Sequence, residues 1–327
     1  MRLGQILGHE RQKGLLQRAL DQQRLPPALL FVGPDGVGKR SLALAVGRAL
    51  LCAERTDDAC DTCGPCHRSA AGQHPDLQLV SPVGARITVD QIRKLVAEVT
   101  SRPFEGPARL FVIDDAHAMT PEASNAMLKA LEEPPSSSHL ILVTSAAQAL
   151  LPTIRSRCQA MRFSALPTRT IAEQLVMEGH VAAEDAGLRA RMSGGSLGAA
   201  LSFESDAFRD LRGEILRLLE SAGHLDVPAR MEAAERMADA DDPTLVLTVL
   251  RSLLRDVVAL REGLSGAGLQ NGDVADQLAD VASGPLADKA AGLIERAGQA
   301  QRALRGSPNR VLLMESLLDD LGPEGRA

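Results

Sequence analysis

Short apolar runs alternate with helical patterns along the first half of the chain. Each run is four or five residues long and is followed by residues that are common in turns, which is typical of a buried strand. The runs are Ala28 to Val32, Leu77 to Val80, Leu110 to Ile113 and Leu140 to Val143. Strands that alternate with helices predict an α/β fold, in which helices flank a parallel sheet on both faces.

Three of the intervening helices carry start signals. The first is predicted to begin at Lys39, directly after a glycine-rich turn. Thr88 and Gln91 have the spacing of a capping box for a helix that reaches Thr100. Thr120 followed by proline is typical of an N-cap and the first helical position, and that helix must stop before Pro134.

From about residue 163 the apolar spacing changes to three and four residues. Leu247, Leu250 and Leu254 illustrate this spacing, which predicts amphipathic helices. We find no convincing strand-like alternation in this half and therefore expect it to be all helical. The glycine-containing segment 261–273 is predicted to form a loop.

Composition narrows the function classes. The 327 residues are 45% hydrophobic and 24% charged, which is ordinary for a globular protein and excludes wholesale disorder. No apolar run approaches the roughly 18 residues of a membrane span, and the N-terminus is too polar for a secretory signal, so we expect a cytoplasmic protein. The net charge is −6 and the only aromatic residues are six Phe, which disfavours autonomous nucleic-acid binding.

Residues 33–39 read Gly-Pro-Asp-Gly-Val-Gly-Lys, between a predicted strand and a predicted helix. Gly33, Gly36 and Gly38 would let backbone N–H groups surround a phosphate, and Lys39 would reach the terminal phosphates. The next residue should be Ser or Thr, to bind Mg²⁺, but it is Arg40. The loop predicts an ATP or ADP site without metal-assisted hydrolysis; the alternative is a structural loop that keeps only the backbone shape.

Asp114 and Asp115 follow the apolar run that ends at Ile113. A P-loop protein places its metal-binding Walker B carboxylate at such a strand end. An ATPase would usually place Glu next, to polarise the attacking water, whereas Asp115 is one methylene shorter. We interpret the pair as a degenerate Walker B motif; the alternative is a pair of turn residues.

Cys52, Cys60, Cys63 and Cys66 give the spacing C-x7-C-x2-C-x2-C. Four thiolates at such short spacings can surround one tetrahedral Zn²⁺ and leave no position open for water, so the predicted zinc site is structural. An iron–sulfur cluster is the alternative. His67 is a spare ligand candidate.

In order along the chain, these motifs resemble the bacterial clamp-loader subunits. The resemblance also rests on Leu-Lys-Ala-Leu-Glu-Glu-Pro-Pro at 128–135 and on Ser-Arg-Cys at 156–158, which are much more specific than the phosphate loop. It covers residues 1–200 well and the later helices only in general character. It implies an AAA+ module at 1–165 with the zinc module at about 52–66, a small helical lid at 166–203 and a helical collar at 204–327.

The resemblance also implies a function. Clamp loaders are five-subunit rings, with motor subunits and a delta subunit, that place a sliding clamp on primed DNA. The arginine of Ser-Arg-Cys reaches ATP bound by the neighbouring subunit, so Arg157 would be an arginine finger acting in trans. Arg155 is the residue most easily confused with it, and Cys158 would be a core residue.

Within this family, a rigid, non-hydrolysing stator is distinguished from the ATP-hydrolysing motor subunit, and this sequence departs from the motor's motifs at three positions. They are Arg40, Asp115 and Gly198, the last of which stands where the motor carries a sensor arginine. The resemblance therefore implies a stator that supplies Arg157. A motor-type ATPase is the alternative, and a zinc-dependent nucleic-acid-binding module is a third hypothesis that the acidic composition disfavours.

Overall fold

The computed structural model describes residues 2–54, 58–179, 181–306 and 308–319. The chain divides into two units, Met1–Ser202 and Phe203–Ala327. Residues 55–57 of the predicted zinc module and 320–327 of the predicted collar lie outside the described residues.

A parallel sheet forms the centre of the first unit. In chain order its strands are β1 (Ala28–Val32), β2 (Leu77–Val80), β3 (Arg109–Ile113), β4 (Ser138–Thr144) and β5 (Gln159–Arg162). Their order in the sheet is β2-β3-β4-β1-β5, and every neighbouring pair is parallel. This arrangement confirms the predicted α/β class and places the phosphate loop directly after a central strand.

Strand β5 was not among the predicted strands. It lies at the edge of the sheet beside β1, and three of its four residues are exposed. With three of its four residues exposed, β5 carries no apolar run, and the hydrophobic pattern gives no signal for it.

Nine helices of the first unit are described, and two of the predicted caps are confirmed. They are α1 (Glu10–Asp21), α2 (Lys39–Leu51), α3 (Gly64–Ala70), α4 (Val89–Val99), α5 (Pro121–Glu132), α6 (Pro152–Arg157), α7 (Thr168–Met177), α8 (Ala183–Met192) and α9 (Leu197–Leu201). The Thr88 hydroxyl accepts from Gln91 N–H at the start of α4, and Thr120 accepts from Ala123 N–H at the start of α5. The last three helices enclose a small apolar core of their own around Ile171.

Both faces of the sheet are buried, because side chains along each strand alternate between them. On β3, Leu110 and Val112 join the core on the α2 side, whereas Phe111 and Ile113 join the core that contains α4 and α5. Burial on both faces explains why the strand sequences are continuous apolar runs. The prediction of helices on both faces is confirmed.

The second unit consists of helices within its described residues, as predicted. They are α10 (Ser205–Ser221), α11 (Val227–Asp239), α12 (Pro243–Arg261), α13 (Ala275–Ser283), α14 (Leu286–Ala303) and α15 (Arg310–Leu318). Helix α12 packs against α10, α13 and α14, and its Leu247, Leu250 and Leu254 are buried. The predicted loop after α12 contains two short 3₁₀ turns.

A buried carboxylate holds that loop to α12. Asp256 is 1% exposed and accepts hydrogen bonds from the backbone N–H of Gln270 at 2.9 Å and of Asn271 at 2.6 Å. The side-chain amide of Asn271 donates to the same carboxylate at 2.9 Å. These bonds pair polar groups that would otherwise be buried without partners, so the glycine-containing loop has a defined path.

A second buried carboxylate, Asp76, organises the segment before β3. Asp76 is fully buried and accepts from the backbone N–H of Phe104 at 2.8 Å, Glu105 at 3.0 Å and Gly106 at 2.9 Å. Its Oδ1 also lies 3.5 Å from Nε of the buried Arg109. Burial raises the pKa of Asp76, but the three N–H donors and the nearby His74 outweigh it, and the net shift is downward.

We expect Asp76→Ala to lower the free energy of unfolding by about 3–5 kcal/mol, because it leaves three N–H groups without their acceptor and removes a carboxylate 3.5 Å from the buried Arg109. The contribution of a carboxyl with a depressed pKa is present above its unfolded pKa and is lost as the pH falls through the folded value. The difference in the free energy of unfolding between Asp76→Ala and wild type should therefore become smaller below about pH 4. Urea unfolding at a series of pH values measures it.

The control for this experiment is Asp90→Ala, because the Asp90 side chain is 79% exposed and lies 3.5 Å from Arg93. We expect it to change stability by no more than about 0.5 kcal/mol. Equal losses in the two variants would contradict the role given to Asp76.

Candidate functional site

The phosphate loop has the backbone shape that an anion needs. Gly36 and Gly38 have φ values of 69° and 104°, in the left-handed region that favours glycine. The N–H groups of residues 36–41 donate no hydrogen bond to any residue that the structure describes. Lys39 is 5% exposed, and its Nζ donates to Gly33 O at 2.7 Å and to Pro34 O at 2.5 Å.

Burial lowers the pKa of Lys39, while Asp35, Asp115 and Asp114 oppose that shift. The Nζ lies 3.7 Å from the Asp35 carboxylate. The lysine is thus a buried cation beside several carboxylates at the mouth of the loop.

The start of α9 rests on the phosphate loop. Gly198 N–H donates to Gly36 O at 3.1 Å, and a Cβ at Gly36 would collide with the Ser196 hydroxyl. A Cβ at Gly198 would come within 3.3 Å of the Gly36 Cα. The two glycines allow this close backbone approach, which a side chain at either position would disturb.

Arg40 lies against Asp114. Its Nη1 is 3.3 Å from Asp114 Oδ2; the arginine side chain is 53% exposed and the aspartate side chain is 13% exposed. Burial and the neighbouring Asp115 raise the pKa of Asp114, whereas Arg40 and Lys39 act in the opposite direction. The residue that replaces the expected metal-binding hydroxyl therefore forms an ion pair with the expected metal-binding carboxylate.

A cavity of about 600 Å³ lies beside these residues. It brings together Lys39, Arg40, Asp114 and Asp115, which the sequence proposes for the site, with Gly36 and Gly38. Asp115 adopts a φ of 47°, which is uncommon for a residue with a side chain and directs the chain sharply at the end of β3.

Several residues that line the cavity are not among the site residues proposed from the sequence. They are Gln5, Ile6, Leu7, His117, Leu166, Gln174, Glu178 and Leu201. His117 Nδ1 lies 3.2 Å from the hydroxyl of the buried Thr144 at the end of β4. Thr144 ends β4, the strand beside β1, so its position is a signal in the sequence for a polar residue near the phosphate loop. Residues 5–7 belong to no motif and give no such signal.

The four predicted cysteine ligands lie together. Their Sγ atoms are all within 4.8 Å of one another, with 4.0 Å between Cys52 and Cys63 and 3.9 Å between Cys60 and Cys66. His67 is exposed and is not part of this group, and Cys158 is buried at the end of α6. The cluster could hold a metal ion.

Hydrogen bonds and burial give the cysteines different acidities. The hydroxyl and backbone N–H of Thr62, together with Cys63 N–H, lower the pKa of Cys60 to about 6. Burial raises the pKa of Cys66 to about 12. Such a buried thiol becomes a thiolate when a cation is bound, so metal binding would release a proton.

The cysteine cluster also anchors the N-terminal segment. The Asp58 carboxylate accepts from Leu3 N–H and Gly4 N–H, each at 3.0 Å. Asp61 pairs with Arg2 at 3.0 Å and with Arg48. This segment continues into residues 5–7, which line the cavity, so the cluster supports one wall of it.

Arg157 lies at the end of α6, outside the cavity. Its Nη1 donates to Thr153 O at 3.1 Å and its Nη2 donates to Glu132 at 3.0 Å, while its side chain is 36% exposed. Arg155 is also exposed, and its guanidinium donates no hydrogen bond to any residue that the structure describes. Arg157 is therefore the arginine whose guanidinium is fixed and still accessible.

Sequence comparison connects these features to a family. Residues 8–167 match the family described as DNA polymerase III, delta subunit, and residues 221–322 match its C-terminal part. The chain is 32% identical over 253 residues to DNA polymerase III subunit delta' of Bacillus subtilis strain 168, covering 76% of this chain and 77% of that protein. The chain belongs to the DNA polymerase III delta prime family.

Two further relatives place this delta prime family member within the clamp loaders. It is 31% identical over 276 residues to subunit delta' of Escherichia coli strain K12, covering 72% of this chain and 82% of that protein. It is also 31% identical over 260 residues to subunit tau of the same strain, covering 77% of this chain but 40% of that protein. The predicted order, an α/β module followed by helices, is confirmed.

Among the described residues, none of the helices combines the length and the apolar character that crossing a membrane requires.

Proposed function

We propose that this chain is the stator of a bacterial clamp loader. In this proposal it occupies a fixed place in a five-subunit ring with motor subunits and a delta subunit, and helps to load the sliding clamp onto primed DNA in the cytoplasm. It hydrolyses no ATP itself and supplies Arg157 to the nucleotide that a neighbouring motor subunit binds.

The ion pair between Arg40 and Asp114 is the observation that carries this proposal. Hydrolysis by a P-loop protein needs Mg²⁺ held by a hydroxyl after the lysine and by the strand-end carboxylate. Here the first ligand is replaced by a guanidinium, which has no acceptor atom, and the second already bonds to that guanidinium at 3.3 Å. Asp115 and Gly198 agree with this, because the water-polarising Glu and the sensor arginine are missing too.

Zinc is the metal that the cysteine cluster fits best. A tetrahedral ion with Zn–S bonds of about 2.3 Å places its thiolates about 3.8 Å apart. The two measured Sγ–Sγ distances, 4.0 and 3.9 Å, are close to this value. Thiolates around an iron–sulfur cluster bind different irons and lie farther apart, which disfavours that alternative. The ion would supply structural cross-linking, since Cys52, Cys60, Cys63 and Cys66 leave no ligand position for water.

We expect the purified chain to hydrolyse ATP no faster than a buffer blank, because one metal ligand is absent, the other is paired with Arg40, and the water-polarising residue is missing. A phosphate-release assay at saturating ATP and Mg²⁺ measures this rate, with a motor subunit as the positive control. Lys39→Ala identifies contamination, because residual turnover that survives this change does not arise in the phosphate loop. Robust turnover that Lys39→Ala abolishes would overturn the proposal.

A motor-type ATPase is the alternative, supported by the intact Lys39, the cavity and the 31% identity to subunit tau. The other proteins encoded in the same genome discriminate between the stator and the motor-type ATPase. A second chain with Gly-Lys-Ser or Gly-Lys-Thr, Asp-Glu at the strand end and Ser-Arg-Cys would be the motor, and its absence would assign that role to the present chain.

A further inference from the structure

The second unit contains a pocket whose charged lining is entirely basic. Its volume is about 430 Å³, within the range of small-ligand sites. Helix α12 contributes two of the lining residues, and α14 with its C-cap contributes the others. They are Thr244, Arg251, Gly298, Gln301, Arg302 and Leu304, of which two are arginines and none is acidic.

Both guanidinium groups lie over the same point of α14. A Cβ at Gly298 would lie 3.7 Å from Nη1 of Arg302 and 3.8 Å from Cζ of Arg251. In the part of the chain that the structure describes, neither arginine forms an ion pair with a carboxylate. Two cations this close repel each other unless an anion lies between them.

Neutral partners hold Arg251 in this position. Its Nη1 donates to Oε1 of Gln301 at 2.7 Å, and Nε2 of Gln301 donates to the Thr248 hydroxyl at 3.0 Å. The Nε of Arg251 is buried and has no hydrogen-bond partner among the described residues. The guanidinium is therefore oriented before a ligand arrives, and its charge is not compensated.

Gly298 leaves the floor of the pocket open. Glycine is less favourable than alanine in the interior of a helix, and Gly298 lies well within α14. The contacts that a Cβ would make, at 3.7–3.8 Å, are ordinary van der Waals distances, so packing does not require glycine here. A ligand between the two guanidinium groups would use the space.

The lining favours a phosphate group as the ligand. A phosphate monoester or inorganic phosphate carries almost two negative charges at neutral pH, which matches two arginines, whereas a carboxylate carries one. The planar guanidinium group also pairs with phosphate through two parallel hydrogen bonds. Leu304 is the one apolar side chain among the lining residues, so the pocket offers little support for a nucleobase.

We propose that this pocket binds a phosphate dianion between Arg251 and Arg302, either inorganic phosphate or the terminal phosphate of a small phosphomonoester. The ligand neutralises the two cations and joins α12 to the last turn of α14. This site goes beyond the stator function, because neither the absence of ATP hydrolysis nor the arginine finger requires it.

Hydrogen exchange of the full chain, followed by mass spectrometry, tests the proposal with inorganic phosphate as the probe. Sodium chloride keeps the ionic strength constant during the titration, so that general screening does not change. We expect phosphate to slow exchange in residues 298–304, because it fixes the end of α14. The readout is local, so any phosphate at the phosphate loop is recorded separately.

Arg302→Gln removes one of the two cations from an exposed position, and should raise the half-saturating phosphate concentration for residues 298–304 by about 10-fold or more. Arg255→Gln is the matched control, because Arg255 is an exposed arginine of α12 that does not line the pocket, and it should behave as wild type.

Two further probes define the ligand. A small phosphomonoester such as AMP should give the same local protection if its terminal phosphate enters the pocket, and protection by phosphate alone would assign the site to the inorganic ion. A single-stranded oligonucleotide without terminal phosphates carries one charge per phosphodiester and should bind here less tightly than phosphate.

The proposal is overturned if phosphate up to about 10 mM leaves exchange at residues 298–304 unchanged. It is also overturned if Arg302→Gln responds to phosphate as wild type does, if Arg255→Gln loses as much affinity as Arg302→Gln, or if the oligonucleotide protects this segment more tightly than phosphate. None of these outcomes bears on the stator function, which is tested by ATP turnover.

Discussion

Cys66→Ser is expected to remove the metal from the chain and to lower the free energy of unfolding of the first unit by more than about 4 kcal/mol. Cys66 is fully buried, and the three other thiolates would be left close together without a cation between them. Binding of a structural metal contributes directly to folding, because the unfolded chain holds no preformed site. Urea unfolding together with metal analysis of the purified chain measures both effects.

The effect should spread beyond the four cysteines. Asp58 and Asp61 lie between cysteines of the cluster along the chain and bond to Leu3, Gly4 and Arg2. Loss of the metal removes the constraint on this segment and releases the first residues of the chain. Hydrogen exchange at residues 3–6 should therefore accelerate on chelation, before the sheet unfolds.

The control is Cys158→Ser, because Cys158 is also buried but lies outside the cluster. Burial raises the pKa of the Cys158 thiol to about 11, so it is an uncharged core group. This variant should keep its zinc and lose only about 1–3 kcal/mol. A wild-type chain that carries no metal after purification, or equal losses in the two variants, would contradict the zinc assignment.

The sequence predicts the buried strands and the capped helices because local rules determine both. Residues 110–113 are apolar since both faces of β3 are covered, and Thr88 and Thr120 cap through bonds that reach only three residues along the chain. Strand β5 lacks such a rule, because three of its four residues are exposed and its sequence contains no apolar run. The phosphate loop and the cysteine cluster are also local motifs, so the sequence predicts them as well.

Other parts of the site depend on contacts between distant residues. The pairing of Arg40 with Asp114 joins residues that are 74 positions apart, and the bonds from Asp58 to Leu3 span 55 positions. The sequence identified Arg40 as a departure from the motif. It could not show that the arginine contacts the carboxylate of the missing metal site, since that contact depends on two strand registers, of β1 with β4 and of β4 with β3.

Arg157→Ala is expected to reduce ATP turnover at the neighbouring motor site by about 10³-fold or more, the usual contribution of an arginine finger. Arg157 is exposed and held by Thr153 O and Glu132, so its guanidinium is already oriented and loses little side-chain entropy when it meets a phosphate. A finger that serves a single site would lower the total ATP turnover of a reconstituted loader by the share of that site. Clamp loading on primed DNA should fall by more than the total ATP turnover if loading requires hydrolysis at every site.

Two variants separate the finger from a surface charge. Arg157→Lys should restore little activity, because an ammonium group cannot make the bidentate contact of a guanidinium. Arg155→Ala is the matched control, since Arg155 is exposed on the same short helix, and it should leave turnover unchanged. Size-exclusion chromatography should show intact loaders for all three variants. Equal losses for Arg155→Ala and Arg157→Ala, or full activity of an Arg157→Ala loader, would show that Arg157 does not act in trans.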